Sequence, residues 1–214
     1  MKNIHKILLL FFFLVLSWSW FGDTDFLTWC LEVAPGVLGV AILALTYKRF
    51  QFTDFAYIFI LAHCVILFVG GRYTYAEVPL FDWIRDVFDM TRNHYDKVGH
   101  FAQGFIPALI TREILIRFQV VKTRGWTNVM VISICLAISA IYEIIEWFAA
   151  EIIGESAESF LGTQGYVWDT QSDMLCALIG ASCMLLFLSK AHDNAMKVNC
   201  EARQTLSAPE SRLH

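Results

Sequence analysis

Six apolar stretches, at about residues 6–21, 29–46, 55–70, 98–116, 127–149 and 174–189, dominate the 214-residue sequence. Each approaches the ~20 residues an α-helix needs to cross ~30 Å of hydrocarbon. In lipid only helices and closed barrels satisfy their own backbone hydrogen bonds, so runs of this length demand helices. The expected fold is an all-α polytopic membrane helix bundle of about six transmembrane helices. Composition agrees, since 57% hydrophobic and 17% charged residues exceed what a water-soluble surface tolerates. A formal charge of −4 with no basic run or stripe offers no electrostatic footprint for nucleic acid.

The first stretch follows Lys2 and Lys6 and resembles a signal peptide, but Ser17-Trp18-Ser19-Trp20-Phe21 contains no small-residue cleavage site. It is expected to be a retained helix. With six spans the connections alternate sides, and the sixteen Lys and Arg residues divide twelve to four. The richer side holds both termini and the connections 47–53 and 117–126; Arg72, Arg85, Arg92 and Lys97 fall on the other. The positive-inside bias puts both termini in the cytoplasm and the loops 71–97 and 150–173 outside. Trp18, Trp20, Trp29, Trp147 and Trp168 then mark the outer interface, and Tyr47 and Trp126 the inner one.

Within loop 71–97, Leu80, Ile84, Val87 and Phe88 recur at helical spacing behind Pro79, which predicts a short interfacial helix over about 79–90. Residues 1–190 form one membrane domain in this scheme. From 191 to 214 the apolar periodicity is lost, and a flexible cytoplasmic tail is expected. Six cysteines lie scattered without a Cys-x-x-Cys pair, which argues against a zinc knuckle or redox motif. Cys30 and Cys176 fall near the same membrane face, where a disulfide is conceivable.

An acid or base at the centre of a spanning helix costs about 2.5–3.5 kcal/mol on insertion scales, so the placement of such residues is informative. Asp96, His100 and Gln103 share one face at the outer end of the fourth span. Glu143 and Glu146 share a face near the outer end of the fifth, and Asp169, Thr170, Gln171 and Asp173 open the sixth. Convergence at one depth suggests an outward-facing polar pocket under the 150–168 loop. In it Glu143, Glu146, His100 and Asp96 are the candidate catalytic acids and bases. Gln103, Asp169, Gln171 and Asp173 are the candidate substrate-binding groups. A divalent metal is the cofactor class such residues imply, with His100, Glu143, Glu146 and Asp173 as its candidate ligands.

Each residue also has a plainer explanation. Asp96 can be the N-cap of the fourth helix, Thr170 and Asp173 fit a capping box, and His100 can be a hydrogen-bonded interior histidine. Lys97 or Arg92 can neutralise Glu146. Glu113 with Arg117 four residues on is a helical ion pair with a structural role. Pro107 is expected to kink the fourth span, while Ala177, Gly180 and Ala181 give the sixth a small-residue packing face. Gly162-Thr163-Gln164-Gly165 lacks a following Lys-Ser/Thr, so it is a turn and not a phosphate cradle. Asp54 and His63 have no evident partners in sequence.

Five blocks, GRYTYAEVPLFDW (71–83), RNHYDKVGHFAQGF (92–105), TREIL (111–115), EIIEW (143–147) and FLGTQGYVWDTQSDM (160–174), resemble the YjdF family of bacterial inner-membrane proteins, a domain of unknown function. The resemblance covers most of the chain and implies a multi-pass protein of the bacterial inner membrane, with no activity to carry across. More faintly, Asp96-Lys97 with His100-Phe101 opening a helix, followed by glutamates and then aspartates, is similar to the layout of VanZ-like membrane proteins, which are associated with cell-envelope antibiotic resistance. Three functions fit: an envelope-facing enzyme or lipid-headgroup-binding protein, a small ion- or proton-coupled transporter, and a structural or accessory protein contacting the bilayer or an envelope component. The shortage of polar groups in the inner halves of the spans counts against transport.

Overall fold

The structure, a computed structural model, describes residues 1–22, 26–153 and 163–207. Among the described residues there is no strand. The elements are α1 (Asn3–Ser19), α2 (Phe26–Thr46), α3 (Asp54–Tyr73), α4 (Pro79–Val87), α5 (Tyr95–Arg117), α6 (Arg124–Ile153), α7 (Asp169–Cys183), a π-helical turn (Met184–Leu188) and α8 (Ser189–Ser207). Four helical stretches have the length and hydropathy to cross a membrane: α2, α3, α6 and the continuous run Asp169–Asn199. α1 is apolar but has only 17 residues.

α5 has 23 residues yet carries Asp96, Lys97, His100, Gln103, Arg112, Glu113 and Arg117, which lowers its hydropathy. Packing accounts for that composition. α5 lies in the middle of the bundle against α3, α6 and α7, while α1 and α2 pack on α3. Its polar groups are therefore turned to protein, and the apolar surface is elsewhere. Leu38, Ile42 and Leu45 of α2, Ile141 and Ile145 of α6, and Leu186 and Phe187 of the π turn are all exposed. This is the inside-out arrangement that a hydrocarbon solvent favours.

The tightest contact is between α5 and α7. A Cβ built on Gly104 would lie 1.8 Å from the Ala177 carbonyl oxygen, and one on Gly180 would lie 2.1 Å from that of Phe101. Two glycines, one from each helix, thus let the two backbones touch, with Ala177 and Ala181 fully buried beside them. The small-residue face expected on the sixth span is the one used.

The loop after α3 is held by an aromatic plug. Thr74 and Tyr75 both adopt left-handed backbone conformations, φ 57° and 53°. Tyr75 folds its ring back over Gly70 and Gly99, where any Cβ would collide with it. α4 begins at Pro79, as expected, and leaves Leu80, Trp83, Val87 and Phe88 exposed, an apolar stripe suited to a membrane surface.

Two expectations change. Helix continues past residue 190 to Ser207, so the segment 191–207 is not an unstructured tail; residues 208–214 lie outside the described part. Loss of apolar periodicity misled there because His192 and Asp193 are held by Glu113 and Arg112, partners some eighty residues away. Cys30 and Cys176 are both free. Gly162 and the 154–161 part of the outer loop lie outside the described residues, but 163–166 is a turn, with Tyr166 N–H donating to the Thr163 carbonyl at 2.9 Å.

If the glycine contact sets the bundle, Gly104→Ala and Gly180→Ala should each cost about 1–3 kcal/mol, the usual range for overpacking. Gly125→Ala, whose Cβ would meet nothing within 4 Å, should not destabilise. Thermal unfolding of the three variants in detergent checks this.

Candidate functional site

The local sequence at the start of α5 sets the site. Asn93 is fully buried, and its side-chain amide donates to the Val78 carbonyl and to Asp82. Its carboxamide oxygen accepts from Tyr95 N–H, so Asn93 supplies the first-turn hydrogen bond that Asp96 was expected to make. Gln164 bonds both the N–H and the carbonyl of Asn93, tying the turn before α7 to the start of α5. Asp96, freed from capping, lies inside the first turn of α5.

Across the glycine contact α7 presents Asp169 and Asp173. The expected Thr170–Asp173 capping box does not form: Trp168 occupies the cap position, with no side-chain cap hydrogen bond. Lys97 Nζ instead donates to Asp169 at 2.7 Å and Asp173 at 2.5 Å, and lies 3.2 Å from Asp96. Arg92 donates to Asp169 at 2.7 Å and to the Thr163 carbonyl, and stands 3.7 Å from Asp96. Both cations are thus engaged by aspartates, and neither forms an ion pair with Glu146.

His100 is the hub. Its Nε2 lies 3.2 Å from Asp96 and 3.9 Å from Asp173, while Nδ1 is 3.1 Å from Gln103 Oε1 and 3.7 Å from Glu143. Asp96, His100 and Asp173 can offer three ligand atoms within 4.8 Å of one another, the geometry of a metal site. Of the four residues expected as metal ligands, His100 and Asp173 belong to this group and Glu143 and Glu146 do not. A metal there would also have to displace Lys97 from Asp173. Glu143 is buried with Oε1 lacking a hydrogen-bond partner. Gln171 is exposed, outside the cluster.

Two cavities flank the cluster. One of about 230 Å³ is lined by Glu32, His63, Tyr75, Asp96, His100 and Glu146, with Gln103 and Tyr142 among the other walls. A smaller one of about 160 Å³ is lined by Glu143, Glu146, Trp147, Thr163, Asp169 and Thr170. Glu146 separates them. Glu32, His63, Tyr75 and Tyr142 were not anticipated as site residues. A lone acid in the apolar stretch 29–46 was the one signal that could have found Glu32.

A second polar centre lies at the opposite end of α5. Fully buried Glu113 accepts from Thr53 N–H and Oγ1 at 2.9 Å each and from Arg117 at 2.7 Å, and contacts His192 at 3.1 Å. Arg112 pairs with Asp193. The expected Glu113–Arg117 pair is present, within a larger network. Lys2 and His5 supply the partners Asp54 lacked in sequence, and Tyr47 Oη sits against the other ring nitrogen of His5.

An all-helical bundle with a buried carboxylate–histidine cluster near one end and a wide apolar exterior is an integral membrane protein by its physics. The chain belongs to the family described as "Predicted membrane protein (DUF2238)", which matches residues 4–194. It is also 47% identical over 179 residues to "Inner membrane protein YjdF" of Escherichia coli (strain K12), covering 84% of this chain and 86% of that protein. No solved structure matches it.

Removing one partner of a buried ion pair leaves an uncompensated charge and costs about 3–5 kcal/mol. Lys97→Met should therefore destabilise on that scale, and adding Asp173→Asn should recover part of the loss. Chemical unfolding of single and double variants measures the coupling.

Proposed function

We propose that this is a multi-pass protein of the bacterial inner membrane with about six spans and both termini cytoplasmic, whose carboxylate–histidine pocket faces the envelope and binds a cationic group, a lipid headgroup or a metal ion. The observation that supports it is a surplus of negative charge on buried and, at Glu146, half-buried carboxylates. Glu32, Asp96, Glu143, Glu146, Asp169 and Asp173 surround the cluster, against Arg92, Lys97 and His100. Neither Glu32 nor Glu146 has a hydrogen bond or ion pair to any described residue. Uncompensated carboxylates at this depth are costly, and a cation or protons must offset them.

In this role Glu143, Glu146, His100 and Asp96 hold the ligand and supply acid or base groups beside it, with Gln103, Asp169 and Asp173 orienting them. If the cation is a metal, Asp96, His100 and Asp173 are the residues able to hold it, and it would act as a Lewis acid toward a bound oxygen. Ion- or proton-coupled transport is the second function. It is favoured by the buried Glu113–His192 centre at the other end of α5, which the sequence did not lead one to expect. Gln103 and Arg112 are nevertheless ~14 Å apart along α5 at 1.5 Å per residue, and the stretch between them is largely apolar.

A ligand that binds only the folded state raises its stability. Thermal unfolding of purified protein against divalent cations, ethanolamine, phosphate and lipid headgroups should show stabilisation by cationic ligands and none by phosphate alone. Glu143→Gln/Glu146→Gln should remain folded and lose that response. A response to phosphate alone, or a variant that fails to fold, would favour a structural role for the cluster.

A further inference from the structure

The acidic cavity shares part of its wall with a second hollow. Pro35, His63 and Leu67 line it and also line a second, apolar hollow of about 510 Å³. That hollow is walled by α2, α3 and α5, through residues such as Gly39, Leu43, Ile60, Ile106 and Ile110, and reaches Thr46 and Phe118 at the opposite end of the bundle. From Pro35 to Thr46 is eleven residues, and from Pro107 to Phe118 likewise, or ~16 Å along each helix. This is about half of the ~30 Å hydrocarbon thickness, the depth of one leaflet. A polar chamber thus abuts an apolar hollow one leaflet long, with Pro35, His63 and Leu67 as shared walls.

The polar end specifies the charge of its occupant. Glu32 is 3% exposed, lines the chamber and has no hydrogen-bond or ion-pair partner among the described residues. Glu146, half-buried across the chamber, likewise has no hydrogen-bond or ion-pair partner among the described residues. Lys97 and Arg92 do not line it, being spent on the aspartates of α7, and His100, which does, is engaged by Asp96. His63 stands at the junction with Nε2 buried and unpartnered. The acidic walls suit a hydrogen-bond-donating cation, and the apolar walls of the hollow suit a hydrocarbon tail.

Resting on the pocket proposed above, we infer that the site takes an amphiphile of the outer leaflet that carries a primary ammonium headgroup. The ammonium sits between Glu32 and Glu146, beside Asp96, and one tail runs down the hollow past His63 toward Phe118. The tail keeps the direction it has in the outer leaflet, pointing away from the envelope, but lies deeper, in the cytoplasmic half of the bundle between the middle of α2 and α5 and their inner ends.

The test uses the full-length protein in a mild non-ionic detergent, with bound lipid counted by native mass spectrometry. Dioleoyl phosphatidylethanolamine should bind about tenfold more tightly than dioleoyl phosphatidylglycerol, which has the same tails, a difference of about 1.4 kcal/mol. Glu32→Gln should erase that preference. Gly39→Trp should fill the hollow, since a Cβ there meets nothing within 4 Å; it should weaken binding of the ethanolamine lipid while leaving thermal stability intact. Ethanolamine without tails should compete far more weakly than the lipid. Equal binding of the two lipids, or retained preference in Glu32→Gln, overturns the inference. So does free ethanolamine matching the lipid. If Mg²⁺ or ethanolamine still stabilises the protein through Glu143 and Glu146, the pocket stands and only the amphiphile falls; if neither does, both fall.

Discussion

α5 and α7 touch backbone to backbone through Gly104 against Ala177 and Gly180 against Phe101. Everything at the site depends on that approach. Lys97 reaches Asp169 and Asp173 from the neighbouring helix only because no side chain separates the two backbones one to two turns below them. In lipid, helices gain little from hydrophobic burial, so close van der Waals contact and interhelical hydrogen bonds must supply the association. Here the glycines provide the first and the Lys97 and Arg92 ion pairs the second. The polar cluster is therefore part of what holds the bundle and part of what the bundle presents.

These two roles fall to different residues. Arg92, Lys97, Asn93 and Gln164 are tied to fixed partners and fasten the start of α5 to the turn before α7. Glu32, Glu146, His63 and one oxygen of Glu143 are buried or cavity-lining and remain unspent. A purely structural polar core would satisfy all its members, because half-satisfied networks in low dielectric are costly. The unspent groups all border cavities.

Much of the architecture was legible from the sequence, because run length and hydropathy report directly on bilayer thickness. Helices occur at all six apolar stretches, at α4, and at the small-residue face of α7. The convergence of Asp96, His100, Glu143, Asp169 and Asp173 was legible too, since spacing from the helix ends gives depth. What failed were inferences about local partners. Asp96 and Asp173 look like capping residues in sequence, but His94 and Trp168 hold the cap positions, Asn93 accepts the Tyr95 N–H, and both aspartates are left to Lys97. His192 and Asp193 read as tail because their partners lie on α5. Glu32 was missed because a single acid on α2 has no sequence neighbour to suggest a cluster; only the fold brings it to His100.

We propose that the acidic chamber inside the bundle opens toward the envelope. The direct measurement is thiol labelling in intact cells, using Glu146→Cys and Glu32→Cys in a background with the native cysteines replaced. A small membrane-impermeant reagent applied from outside should modify both, and Arg112→Cys, at the opposite end of α5, should stay unmodified until the membrane is opened. Labelling of Arg112→Cys from outside, with positions 32 and 146 protected, would contradict the account.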